Sequence, residues 1–242
     1  MLAIPVIEIS NGHATHLFGD GDAAERVDIG DPRDVARRWI GYGFQRLHIV
    51  DLDRAMGRPA NDSAMRDLLW DGAVPVQAGG GVGTTATVNS LLEDGAEWVV
   101  VGSRAVEEPD WLSEIVDANA GAVIIALDVR DRRVIAQRRR VVAYELPRDV
   151  LDFIDDLART NLLLGGLLIT SAADHGHAPK VDYPLFEDIA QASSWPVLVA
   201  GVTTMGGLRT LEDRGIAGAI LGMALYTGAL DARVVAEEFA GS

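Results

Sequence analysis

Eight short apolar runs alternate with eight helix-like stretches along the 242 residues, and landmarks of the first half recur in the second half. These two observations predict a closed barrel of TIM type, a single (β/α)8 domain over residues 1–242 built from two (βα)4 half-barrel repeats. A doubly wound sheet uses the same local alternation, and the repeat decides against it. The shift that carries Gly81 onto Gly201 also carries Gly102 onto Gly222 and Glu8 onto Asp128.

In chain order, the expected strands are Ile4 to Ile9, Leu47 to Val50, Val74 to Gln77, Trp98 to Val101, Val123 to Leu127, Gly166 to Ile169, Val197 to Val199 and Ala219 to Leu221. They are β-branched runs without strict polar alternation, the pattern of strands buried on both faces. The expected helices are Pro32 to Trp39, Ser63 to Trp70, Thr84 to Leu92, Trp111 to Asn119, Arg148 to Thr160, Leu185 to Ala192, Met205 to Asp213 and Ala232 to Phe239. Asp31 before Pro32 reads as a cap with proline at the first helical position. Gly43, Gly72, Gly95 and Gly215 read as C-terminal stops.

Composition narrows the function classes. A chain that is 48% hydrophobic and 24% charged is globular rather than disordered. With 21 basic against 36 acidic residues, a net of −15, it lacks the basic surface of a nucleic-acid binder. The absence of cysteine excludes a disulfide scaffold, a thiolate metal site and a thiol nucleophile. Met1 to Ser10 lacks the basic start of a signal peptide, and no apolar run approaches the roughly 20 residues of a membrane span. A cytoplasmic protein without membrane partners is expected.

In this fold chemistry belongs at the C-terminal ends of the strands. Two matched sets of glycine turns fall there: Gly80, Gly81, Gly102 and Ser103 in the first half, and Gly201, Val202, Gly222 and Met223 in the second. A glycine turn opening onto a helix offers free N–H groups to a phosphate, and the alternative is a tight turn with no ligand. Two sets across one mouth point to an elongated substrate with a phosphate at each end. Glu8 and Asp128 place one carboxylate on either side of that mouth, and such a pair can divide base and acid roles if their environments split their pKa values. Asp51 and Asp53 end the second strand as structural or substrate-orienting groups. The loop from Thr170 to His177 supplies Thr170, Ser171, Asp174, His175 and His177, and His13 and His16 occupy the first loop. No spacing among them matches a strong ligand motif, so no metal is expected. Arg138, Arg139 and Arg140 either close over an anionic substrate or are simply solvated.

The stretch from Leu47 through His48, Asp51, Asp53 and Arg58 to Asn61 resembles the phosphoribosylformimino-AICAR-phosphate (ProFAR) isomerases of histidine biosynthesis. Val76 to Gly81, Leu127 to Asp131 and Gly222 to Tyr226 extend the resemblance over nearly the whole chain. The resemblance implies a cofactor-free Amadori rearrangement of an aminoaldose carrying two phosphoribosyl ends, performed by a monomer. It makes Glu8 the base, Asp128 or His175 the acid, and Thr170 part of the catalytic set. It puts His16, Asp51, Ser171 and Arg139 among the substrate-binding positions. Some members also isomerise phosphoribosylanthranilate.

The chain departs from the family pattern at Glu8, where aspartate is usual, and at His16, where arginine is expected. Further departures are Ser171, His175 and His177 in the sixth loop, Arg138-Arg139 for glycine-tryptophan, Ala200 for glycine, and Gly83 for arginine. These changes leave open a divergent paralogue that acts on, or only binds, another phosphorylated sugar.

Overall fold

The computed structural model describes residues 1–18, 25–70, 72–136, 144–171 and 181–241. The first half begins with β1 (Leu2–Ser10), β2 (His13–Phe18), β3 (Glu25–Gly30), α1 (Pro32–Tyr42), β4 (Leu47–Asp51), α2 (Leu52–Ala55) and α3 (Asp62–Trp70). It continues through β5 (Val76–Gly79), α4 (Thr85–Glu93), β6 (Trp98–Val101), α5 (Ser103–Glu107) and α6 (Pro109–Ala118). The second half runs β7 (Val123–Arg130), β8 (Arg133–Ala136), β9 (Tyr144–Asp149), α7 (Val150–Arg159), β10 (Gly166–Ser171) and α8 (Tyr183–Ala192). Then come β11 (Val197–Ala200), α9 (Met205–Asp213), β12 (Gly218–Leu221), α10 (Met223–Tyr226) and α11 (Ala232–Glu238). Strands β1, β4, β5, β6, β7, β10, β11 and β12 pair in parallel in that order, and β12 returns to β1. This is a closed (β/α)8 barrel.

Local chemistry explains the element ends. The Asp31 carboxylate accepts from Arg33 N–H at the start of α1, Pro32 needs no partner there, and Gly43 stops the helix at φ 104. The buried face of α1 carries Val35, Ala36 and Trp39, with the Trp39 ring edge-on to Phe44 and Tyr226. One strand is displaced from its expected bounds: β5 begins at Val76, because Pro75 has no N–H to give to the ladder.

Four strands were not expected. Strands β2 and β3 form an antiparallel extension of β1, and β8 and β9 form the same extension of β7. Each opens with a two-residue turn in which both residues have positive φ: Asn11 (51°) and Gly12 (77°) in the first, Asp131 (48°) and Arg132 (62°) in the second. That is the requirement of the primed hairpin turns, whose twist matches that of the strands. The short helices α2, α5 and α10 are also additional to the sequence reading; they sit directly at strand ends. Among the described residues no helix is long and apolar enough to cross a membrane.

Side chains alternate between the two faces of each strand, which divides the apolar residues into two clusters. The larger joins outward strand residues such as Ile7, Ile49 and Val99 to the helices. The smaller contains strand residues alone, Ile4, Val6, Val100, Ile124, Leu168, Leu198 and Ile220, and so fills the barrel interior. Polar groups join it from two neighbouring strands. His48 Nδ1 lies 2.9 Å from Gln77 Nε2, and both residues are buried. The Arg46 guanidinium stacks 3.5 Å over the Trp98 ring centroid.

Burial, reinforced by the Arg46 charge, lowers the His48 pKa from 6.5 to about 4. The unfolded chain therefore takes up a proton at His48 that the folded chain refuses between these values. Stability is fully present above pH 6.5 and is lost as pH falls toward 4, by about 3 kcal/mol from this group. Denaturant titrations at pH 7 and pH 4.5 should show this acid-side loss in the wild type and its absence in His48→Asn. An identical pH slope in both would remove His48 as the cause.

Candidate functional site

The strand ends are held by a polar knot at the exit of β4. Asp51, wholly buried, accepts from Arg54 N–H (3.0 Å), Asn61 N–H (2.8 Å) and Asn61 Nδ2 (2.8 Å). Asp53 accepts from Ser10 Oγ (2.8 Å), Asn11 N–H (2.7 Å) and Asn61 Nδ2 (3.1 Å). Burial pushes the Asp53 carboxyl up, but these bonds and Arg26 outweigh it and hold it below its ordinary value. Asn61 Oδ1 in turn accepts from Gly12 N–H at 2.8 Å. One side chain thus ties the turn after β4 to the hairpin after β1. Asp51 has no exposed surface, and these bonds occupy its carboxylate.

The glycines differ in what they do. Gly80 and Gly81 have φ of 94° and 64°, and a Cβ on either would collide with the backbone of Asp51 or Arg54. Their first requirement is close approach of the two turns. Gly102 and Gly222 cap α5 and α10 with nearly the same backbone, φ −110° and ψ −124° against φ −107° and ψ −117°, and no side chain bonds the cap. Thr84 and Thr204, separated by the same number of residues, cap α4 and α9 through bonds to Thr87 N–H and Gly207 N–H. Space is open over Gly102 and over Gly201, which has φ 99°. Val202 is buried, so only its backbone faces a ligand.

A cavity of about 680 Å³ opens at the first of these sets, lined by Gly80, Gly81, Gly102, Ser103, Thr84, Arg54, Arg104 and Asp128 among others. Asp128 is in register with Thr170 on β10 and with Ile135 on the hairpin strand β8. Burial raises its pKa from 3.8 to about 6. On β1, four barrel strands away, Glu8 is in register with Val50 and with Thr15 on its own hairpin. Its Oε2 lies 2.7 Å from His16 Nδ1. A Cβ on Gly222 would stand 3.5 Å from His16 Cε1, so the imidazole also borders the second glycine set.

The sequence reading passed over two cavity residues, Arg54 and Arg104. Arg104 follows Gly102-Ser103 directly, which is a signal it could have used. Its guanidinium donates to the Gly83 carbonyl and to Glu108 and stacks 4.5 Å from the Trp111 ring centroid. Ser171 ends β10, half-buried, and Met223 begins α10. His175 and Arg139, with Asp174, His177, Arg138 and Arg140, lie outside the described residues. Among the described residues no group of three or more histidines and carboxylates could hold a metal ion.

Residues 2–231 match the family model described as "Histidine biosynthesis protein". The chain belongs to this family. A 1-(5-phosphoribosyl)-5-((5-phosphoribosylamino)methylideneamino)imidazole-4-carboxamide isomerase of Gemmatimonas aurantiaca is 50% identical over 240 residues, 99% of each chain. The isomerase of the same name from Myxococcus xanthus is 40% identical over the full length of both chains. That from Natronomonas pharaonis is 35% identical over 93% of this chain and 92% of its own. The histidine biosynthesis family member described here thus spans essentially the whole length of its relatives.

The raised Asp128 pKa carries a stability consequence. The folded state holds the Asp128 proton between pH 3.8 and about 6, so stability is highest below this window and falls as pH rises through it. Asp128→Asn should therefore stabilise the protein at pH 8 by about 2 to 3 kcal/mol and leave it unchanged near pH 3.5. Equal melting temperatures for the two proteins at pH 8 would contradict the buried-carboxyl account.

Proposed function

We propose that this family member is an isomerase of ProFAR, the aminoaldose with two phosphoribosyl ends, and converts it to the aminoketose without a cofactor. The observation that carries the reading is a pair of carboxylates, Glu8 and Asp128, on opposite barrel strands between two glycine-capped turns of matching geometry. The names of the relatives and their full-length match support it.

Asp128, with its pKa lifted to about 6 by burial, is suited to the acid role. It gives its proton to the furanose ring oxygen, the C1–O bond breaks, and the ring opens to a protonated imine. Thr170, beside it in register, faces the same end of the substrate. Glu8 then takes the proton from C2, the C–H electron pair becomes the C1=C2 bond, and the imine nitrogen is left neutral. The enolamine becomes the ketone as the C2 hydroxyl returns a proton to Asp128 and C1 takes up the proton held by Glu8. Backbone N–H groups at Gly81, Gly102 and Ser103 hold one phosphate, and those at Gly201, Val202, Gly222 and Met223 hold the other. Every group invoked comes from one chain, which supports action as a monomer.

Purified protein should turn over ProFAR equally well with and without EDTA. Glu8→Gln should lower kcat by at least about 1,000-fold while inorganic phosphate still raises the melting temperature. Phosphoribosylanthranilate run beside it measures the breadth of the site. Retained phosphate binding with no turnover of either substrate would turn the reading toward a barrel that keeps its phosphate grips and lacks this chemistry.

A further inference from the structure

The two carboxylates stand in equivalent frames with one difference. Glu8 pairs with Thr15 across its hairpin, and the next residue on that strand is His16; Asp128 pairs with Ile135, and the next residue is Ala136. Glu8 therefore has an imidazole nitrogen 2.7 Å from Oε2. Both Glu8 and His16 are largely withdrawn from solvent, with side chains about one-fifth exposed.

The imidazole is itself held. His16 is in register with Val27 on β3, and the hairpin turn is anchored at Asn11 by Asp53 and at Gly12 by Asn61. A Cβ added at Gly222 would stand 3.5 Å from His16 Cε1. Among the described residues of this hairpin, His13 lies 3.1 Å from Asp28 and Arg26 lies 4.0 Å from Asp53.

We propose that His16 is the positioning residue of the base: it stands against Oε2 of Glu8 so that Oε1 is presented to the substrate carbon. This rests on the isomerase reading above. In the proton-abstraction step the C2–H bond breaks, its proton goes to Glu8 Oε1, and its electron pair enters the C1=C2 bond. His16 exchanges no bond with the substrate. The longer glutamate side chain gains a fixed point through this contact, which limits the rotamers that would otherwise carry its carboxylate off target.

The test is a double-mutant cycle on the full chain, with ProFAR as substrate and variants His16→Gln, Glu8→Gln and the pair. His16→Gln should lower kcat by about 10- to 100-fold and change KM by less than about threefold. The double variant should be no slower than Glu8→Gln, because His16 acts only through Glu8. A raised KM with kcat intact would make His16 a substrate contact instead, and multiplicative losses in the double variant would make its role independent of Glu8; either overturns the proposal. His16→Asn serves as a second variant if His16→Gln melts well below the wild type. A wild-type protein with no turnover defeats the isomerase reading alone. Nitrogen NMR of the His16 ring then decides the contact: its resonances should move in Glu8→Gln, and unmoved resonances would refute the pairing.

Discussion

The structure depends on one constraint, the strict alternation of side chains along strands that close on themselves. In a closed barrel a residue faces either the helices or the interior, and a step of one residue exchanges the two. On β1 this places Ile4, Val6 and Glu8 on one face, and on β7 it places Ile124, Ala126 and Asp128 there. The apolar members fill the interior, and the last member of each series emerges where packing ends. The carboxylates therefore stand over a solid floor. The same parity puts His48 and Val50 inward on β4, where His48 meets Gln77, and the Arg46 guanidinium just before the strand stacks on Trp98.

Alternation fixes direction, and the polar knot fixes position. Asp51 and Asp53 are ionisable groups in a buried turn, tolerable because backbone N–H groups and the Asn61 amide meet their oxygens. Asn61 links the exits of two adjacent barrel strands, and Gly80 and Gly81 let the third strand end come against the same turn. The hairpin carrying His16 starts from this knot. A carboxylate held by a hairpin that is itself pinned at its turn has few ways to move. This is how a site at the edge of a sheet acquires the rigidity of its interior.

Much of this was legible in the sequence. The eight barrel strands and eight principal helices follow from apolar runs, caps and glycine stops, and the strand-end position of Glu8, Asp128 and the glycine turns follows from the fold. The hairpins were missed although Asn11-Gly12 is a strong two-residue turn signal; β1 reads as ending at Ile9 only if that turn is taken for a loop. The helices α2, α5 and α10 have four or five residues, too few for a periodicity to register. Arg104 reaches the Gly83 carbonyl from a different strand end, a contact set by tertiary proximity and long side chains. The structural use of Asp51 depends on a residue ten positions away, and no local pattern announces it.

The two halves of the site illustrate why equivalent backbones need not give equivalent chemistry. The caps at Gly102 and Gly222 differ by only a few degrees, and each carboxylate sits where its barrel strand continues into a hairpin. What separates them is side-chain scale: an imidazole 2.7 Å from Glu8, and burial at Asp128. Burial disfavours the charged form and keeps a proton available. The cost of burial falls on stability above pH 6, since the folded chain must carry a charge it shields poorly. Two matching caps and two hairpins thus surround carboxylates in different settings, one against an imidazole and one withdrawn from solvent.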